Sequence, residues 1–120
     1  MKAATLRVCI TPSGTFYMDG YASDERRLPA LGVHDDAYSV LVLLEHGGVR
    51  TLFVSIDACN ISLSRTTRMR SLLCEVLDLE DERLVISTIH SHSCPTGLRE
   101  GTITGKESYG WPEMVCGLVV

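Results

Sequence analysis

The chain has 120 residues, 45% of them hydrophobic and 22% charged, with a formal net charge of −4. That is enough apolar material for a buried core and too much for a disordered chain. The 11 Lys and Arg are outnumbered by 15 Asp and Glu and form no basic block, which argues against nucleic acid or an anionic lipid surface as a partner.

Five cysteines, Cys9, Cys59, Cys74, Cys94 and Cys116, are odd in number and contain no C-x-x-C pair. Met1 to Val8 has no apolar stretch of the kind a secretory leader needs. The expectation is a cytoplasmic protein with reduced thiols. No apolar run is long enough to span a bilayer.

In chain order, Thr5 to Ile10 alternates Leu6, Val8 and Ile10 with Thr5, Arg7 and Cys9, which is the period of a strand. Thr11-Pro12-Ser13-Gly14 ends it. Phe16 to about Asp36 has neither helical nor strand period, and an irregular stretch of that length in a folded unit is usually functional or mobile. Tyr38 to Leu44 and Arg50 to Ile56 are two β-type runs around His46-Gly47-Gly48-Val49, the pattern of a hairpin. Leu52-Phe53-Val54 does not alternate, so this strand is expected to be covered on both faces.

Ser62 to Leu77 reads as a helix. Ser62 or Ser64 can cap it, and Met69, Leu72, Leu73, Val76 and Leu77 follow helical spacing. Arg83 to Ile89 is again β-type, which makes strand, helix, strand a right-handed βαβ unit with parallel strands. The expected fold class is α/β: a mixed β-sheet with a β-hairpin, a βαβ unit and at least one covering helix. Met114 to Val120 is apolar. A helix starting near Pro112 would be cut off at Val120, so residues 1–120 are expected to form one partial domain.

The segment Ser87 to Pro95 holds the chemistry. His90 and His92 stand at i and i+2 at the carboxyl end of a predicted strand. In extended backbone that spacing turns both imidazoles to one side, and convergent imidazoles suit zinc. The carboxyl ends of parallel strands are also where α/β sheets bind ligands. A His-x-His pair also occurs in plain loops, and metal binding needs further ligands. Cys94 reads as a small buried residue, His46 as an exposed hairpin residue, and His34-Asp35-Asp36 as a solvated loop. Asp57 ends the neighbouring strand. It either accepts an N–H from an imidazole and so orients it, or is an ordinary turn residue. No phosphate loop, dinucleotide fingerprint or serine-nucleophile elbow is present.

Taken in order, Val8-Cys9-Ile10-Thr11-Pro12, Gly20-Tyr21-Ala22, Gly32-Val33-His34-Asp35 with Tyr38, Ser55-Ile56-Asp57 and Ile89 to Pro95 resemble the amino-terminal domain of the neutral/alkaline non-lysosomal ceramidases. The resemblance runs over nearly the whole chain. It implies a zinc-dependent amide hydrolase acting on N-acylsphingosine, a lipid-like amide. It makes His90 a zinc ligand and His92 an active-site residue beside the metal, with Asp57 supporting them. The remaining zinc ligands and the catalytic serine of that family come from later sequence, so this chain is expected to be an N-terminal piece, inactive alone. Cys94 stands where the family usually has Gly, and Cys9 where it often has Asp. Two other readings stay open: another His-x-His metal hydrolase, and a non-catalytic α/β binding module.

Overall fold

The computed structural model describes residues 1–21, 23–98, 111, 115 and 117. Strands β1 (Lys2–Cys9), β2 (Tyr38–His46), β3 (Val49–Ile56) and β4 (Leu84–Thr88) form one sheet in the order β1-β2-β3-β4. The first two pairings are antiparallel, and β3 pairs with β4 in parallel. Helix α1 (Leu63–Leu77) crosses between β3 and β4. The expected mixed sheet, hairpin and βαβ unit are all present.

The hairpin follows from Gly47 and Gly48, whose φ values of 58° and 80° give the turn a twist that matches the strands and suits glycine. β1 begins at Lys2, three residues before the expected start, because its partner β2 continues to His46 and pairs with it throughout.

The register sorts the sheet into two faces. Leu41, Leu52, Val54, Ile56 and Leu84 lie on the face that packs with Met69 and Leu73 of α1. Leu6 shares this face with Leu41 across the β1–β2 ladder but is 57% exposed, since the edge strand lies beyond the helix. On the opposite face Val40, Phe53 and Val85 are 38%, 43% and 44% exposed. The expectation that β3 is covered on both faces is therefore corrected. One βαβ crossover puts one helix on one face, and the apolar run of β3 has no cover on the other among the described residues. On that open face the Arg7 guanidinium stacks 3.4 Å above the Tyr38 ring, a favourable cation–π contact.

Ser62 is the N-cap of α1, and its Oγ accepts the Arg65 N–H at 3.4 Å. The buried stripe is Met69 and Leu73, with Cys74 and Leu77 packed beside it. Val76, expected on that stripe, is 61% exposed. It sits a quarter-turn away from Leu77 around the helix. Ser62→Ala should lower stability by about 0.5–1 kcal/mol, the lower part of the range for a lost cap because the bond is long. A urea unfolding midpoint measures it.

Asp24–Arg27 and Asp81–Arg83 form single 3-10 turns. Among the described residues the rest of Phe16 to Asp36 is irregular, as expected, apart from an isolated bridge between Met18 and Pro95. The helix expected from near Pro112 lies largely outside the described residues; Trp111, Val115 and Gly117 are helical. Trp111 is 1% exposed, and its Nε1–H donates to the Ile10 carbonyl, which joins that segment to the end of β1. Cys9, Cys59, Cys74 and Cys94 are not in disulfides, while Cys116 lies outside the described residues. No helix among the described residues is long and apolar enough to cross a membrane.

Candidate metal centre at the strand ends

Beyond their last ladder residues, β3 and β4 continue side by side as irregular backbone. Ile89 N–H donates to the Ile56 carbonyl at 3.1 Å, and Ser91 N–H to the Ala58 carbonyl at 3.2 Å. These bonds set the segment after β4 against the segment after β3. They place His90 beside Cys59.

His90 Nδ1 lies 2.9 Å from the Cys59 carbonyl oxygen. A carbonyl only accepts, so this contact selects the tautomer with the proton on Nδ1 and leaves the Nε2 lone pair open to a ligand. The two imidazoles converge, with ring centroids 5.1 Å apart. Extended backbone is not the reason. His90 has φ of 58°, in the left-handed region that costs a residue with a Cβ about 1 kcal/mol or more and is concentrated at functional sites.

His92 is held from a third direction. The loop before Tyr21 pairs with the loop after His92 through Asp19 N–H to the Cys94 carbonyl at 2.9 Å and Thr96 N–H to the Tyr17 carbonyl at 2.8 Å. This brings Gly20 against the His92 ring. A Cβ at Gly20 would lie 2.3 Å from His92 Cγ. The Tyr21 ring meets His92 edge-on, with centroids 4.7 Å apart at 85°.

Cys59, His90 and His92 each offer a ligand atom, and these atoms lie within 4.8 Å of one another. Cys59 is buried, His92 half-buried and His90 exposed. Sequence reasoning identified the two histidines and missed Cys59. Its only sequence signal is its place just after the strand that precedes the crossover helix, next to Asp57.

Of the two readings left open for Asp57, its contacts are those of a residue at the end of the ladder. Its carboxylate accepts the Tyr38 N–H at 2.8 Å, while its own N–H donates to the Tyr38 carbonyl at 2.9 Å. It clamps the end of the β2–β3 ladder, and the oxygen that meets His90 Nδ1 is the carbonyl of Cys59. The physical reason is direction: Tyr38 lies across the antiparallel ladder from Asp57, whereas His90 lies on the parallel side.

Cys94 is a buried small residue, as expected. It is 1% exposed and its thiol donates to the Ser91 carbonyl at 2.9 Å. Burial pushes this thiol from the ordinary 9.0 up to about 12, and the charges of Asp19 and Cys59 push in the same direction. The unfolded chain ionises this thiol near its ordinary value and the folded chain only near 12. Stability should therefore fall as pH rises through that window. Cys94→Ala should unfold in urea with a shallower loss between about pH 8 and about pH 10.5. An identical pH slope in both proteins would contradict the buried thiol.

Two of the hollows along the sheet bear on the choice of site. One, of about 400 Å³, is lined by Thr11, Phe16, Met18, Val33, His34 and Pro95 among others and adjoins the histidine loop through Ser93 and Pro95. His34, at its rim, is exposed and pairs with Asp35 at 2.7 Å. The other, of about 410 Å³, lies at the far end of the strands between Arg50, Asp78, Glu80 and Arg83. There Arg50 bonds the Asp78 carbonyl, and the lining holds no histidine or cysteine.

Two solved structures share this fold. Over 98% of the chain the neutral ceramidase from Pseudomonas aeruginosa matches with a TM-score of 0.81 at 19% identity. A ceramidase complexed with C2 matches over 98% with a TM-score of 0.75 at 20% identity. The chain spans about a fifth of each of those chains, 20% and 19% respectively. No family model and no curated protein matches it. The fold implied by the motif resemblance is thus the fold the chain has.

Proposed function

We propose that this chain carries part of the active site of a zinc-dependent amide hydrolase of the neutral-ceramidase type, acting on N-acylsphingosine-like lipids. The observation that carries the reading is the convergence of His90 and His92 at the strand ends of a fold shared with neutral ceramidase. The donor set fits zinc: two imidazoles and a thiol within 4.8 Å are nitrogen and sulfur ligands of the kind zinc takes.

His90 would hold the metal through its Nε2, its Nδ1–H being fixed by the Cys59 carbonyl. When bound, zinc polarises the amide carbonyl and lowers the pKa of a bound water. His92, braced by Gly20 and Tyr21, directs a ring N–H at the oxygen that gains charge as the amide is attacked. Asp57 is a positioning residue: by clamping the Tyr38 amide it sets where β3 releases Ala58 and Cys59 toward the site. The hollow lined by Phe16, Met18, Val33 and Pro95 offers an apolar surface next to the histidines for a hydrocarbon chain. Catalysis needs further ligands and a nucleophile, so these 120 residues alone should release no fatty acid.

The reading is tested by titrating a short-chain N-acylsphingosine, below its micelle concentration, into the ¹⁵N-labelled chain. Amide shifts at Met18, Val33, His92 and Ser93, with none at Gly48 and Arg50, are expected. Absence of shifts around the histidine loop, or rapid hydrolysis by this chain alone, would overturn it.

A further inference from the structure

We infer that Asp19 is a positioning residue for His92: its buried carboxylate fixes the Gly20 peptide in the conformation that seats the imidazole. The inference rests on the place of His92 in the proposed active site and concerns how the chain sets that ring before any metal or lipid binds.

Among the described residues Asp19 is the only charged side chain that is buried, at 4% exposure. A carboxylate is costly to take out of water unless donors meet it, and nothing in the proposed chemistry uses this one. Its Oδ1 accepts the Gly20 N–H at 2.8 Å, a bond that the negative charge strengthens. The Asp19 N–H donates to the Cys94 carbonyl at 2.9 Å. The main chain of Asp19 is thus anchored to the histidine loop two residues past His92, while its side chain acts on Gly20.

Gly20 needs such a bond. Room for the imidazole demands a glycine, since a Cβ there would lie 2.3 Å from His92 Cγ. Yet glycine is the residue least able to hold a backbone angle of its own, and φ of 73° is one of many open to it. Tyr21, whose ring meets His92 edge-on, is also left-handed, with φ of 46°, which its Cβ disfavours. The hold on Tyr21 from outside is slight. It is 61% exposed, and the Arg26 guanidinium is 5.2 Å from its ring centroid, toward the long end of a cation–π contact. The Ser23 N–H bonds the Tyr21 carbonyl at 2.9 Å, which fixes the chain after Tyr21 and not before it. The Asp19 carboxylate therefore ties down the start of the two left-handed residues that enclose the ring. Without it the Gly20 amide is free to turn, and the imidazole loses the orientation that aiming a ring N–H at a developing charge requires.

The role asks for an acceptor at this position, which asparagine also supplies. The test is NMR of the 120-residue chain without metal or lipid, so that failure here and failure of the hydrolase reading are separate results. In the wild type, nuclear Overhauser contacts should join the Gly20 Hα protons to the His92 ring. Asp19→Ala should lose these contacts and change the His92 ring shifts, while amides of β2 and β3 stay put. Asp19→Asn should keep the contacts and leave the ring shifts close to wild type. Contacts and ring shifts unchanged in Asp19→Ala would overturn the inference, even with a lower urea midpoint, because Asp19 would then serve stability alone. Loss of the contacts in both variants would overturn it as well, since an acceptor would not suffice. Should Asp19→Ala fail to fold, the Gly20 amide of the wild type decides. A shallow temperature dependence of its proton shift, as for a bonded amide, supports the inference, and the steep dependence of a water-bonded amide contradicts it.

Discussion

Trp111→Ala should destabilise the chain by about 3–5 kcal/mol, the cost of removing a buried large aromatic side chain. Trp111 is 1% exposed and packs in the same cluster as Ile10, Leu98 and Val115. Its indole N–H donates to the Ile10 carbonyl, 101 residues away. The substitution leaves a cavity and also a buried acceptor without its donor. A domain of this size is stable by only about 5–15 kcal/mol, so a large part of the native stability should go. Trp111→Phe separates the two contributions. It keeps most of the volume and loses the hydrogen bond, so it should cost about 1–3 kcal/mol, the price of an unsatisfied buried carbonyl. Urea unfolding of both variants is the measurement. An alanine variant within about 1 kcal/mol of wild type would mean that this helical residue does not close the core.

Gly20→Ala should have the largest effect on the site itself. Gly20 has φ of 73°, and an added Cβ would lie 2.3 Å from His92 Cγ and 2.7 Å from His92 Nδ1. The backbone angle alone costs about 1 kcal/mol for alanine. The contact is closer than carbon atoms tolerate, so the imidazole must leave its place against Tyr21. Ring protons of His92 now lie within the ring current of Tyr21, whose centroid is 4.7 Å away. Their chemical shifts should change in the variant while amides of β2 and β3 stay put. Unchanged His92 resonances would show that Gly20 does not set the imidazole, and that the site tolerates a side chain there.

The parts of the fold that were legible in the sequence are those with local causes. Gly47-Gly48 between two β-type runs specified the hairpin, Ser62 marked the start of α1, and the short links around α1 required parallel neighbours in β3 and β4. What depends on distant neighbours was not legible. The apolar run Leu52-Phe53-Val54 looks the same whether one face or both are covered, and only the count of crossing helices decides. Val76 fits a helical stripe on paper, yet the sheet that α1 meets selects the face carrying Met69 and Leu73.

The site divides in the same way. His90 and His92 stood out by spacing, and their convergence was anticipated, although a left-handed backbone at His90 achieves it. Cys59 has no motif of its own. It is 31 residues from His90 in sequence, and only the parallel pairing of β3 with β4 makes them neighbours. Asp57 was placed at the correct strand end, but strand polarity turns its carboxylate to Tyr38.

The alternatives raised by the sequence part ways on the metal. Another His-x-His hydrolase would still bind it, and a non-catalytic module would not need to. The most direct test is equilibrium dialysis of the reduced chain against rising zinc, with wild type and His90→Ala compared and folding checked by circular dichroism. The account predicts saturation at one zinc per wild-type chain and loss of that zinc in a folded His90→Ala. No uptake by wild type, or equal uptake by the variant, would contradict it.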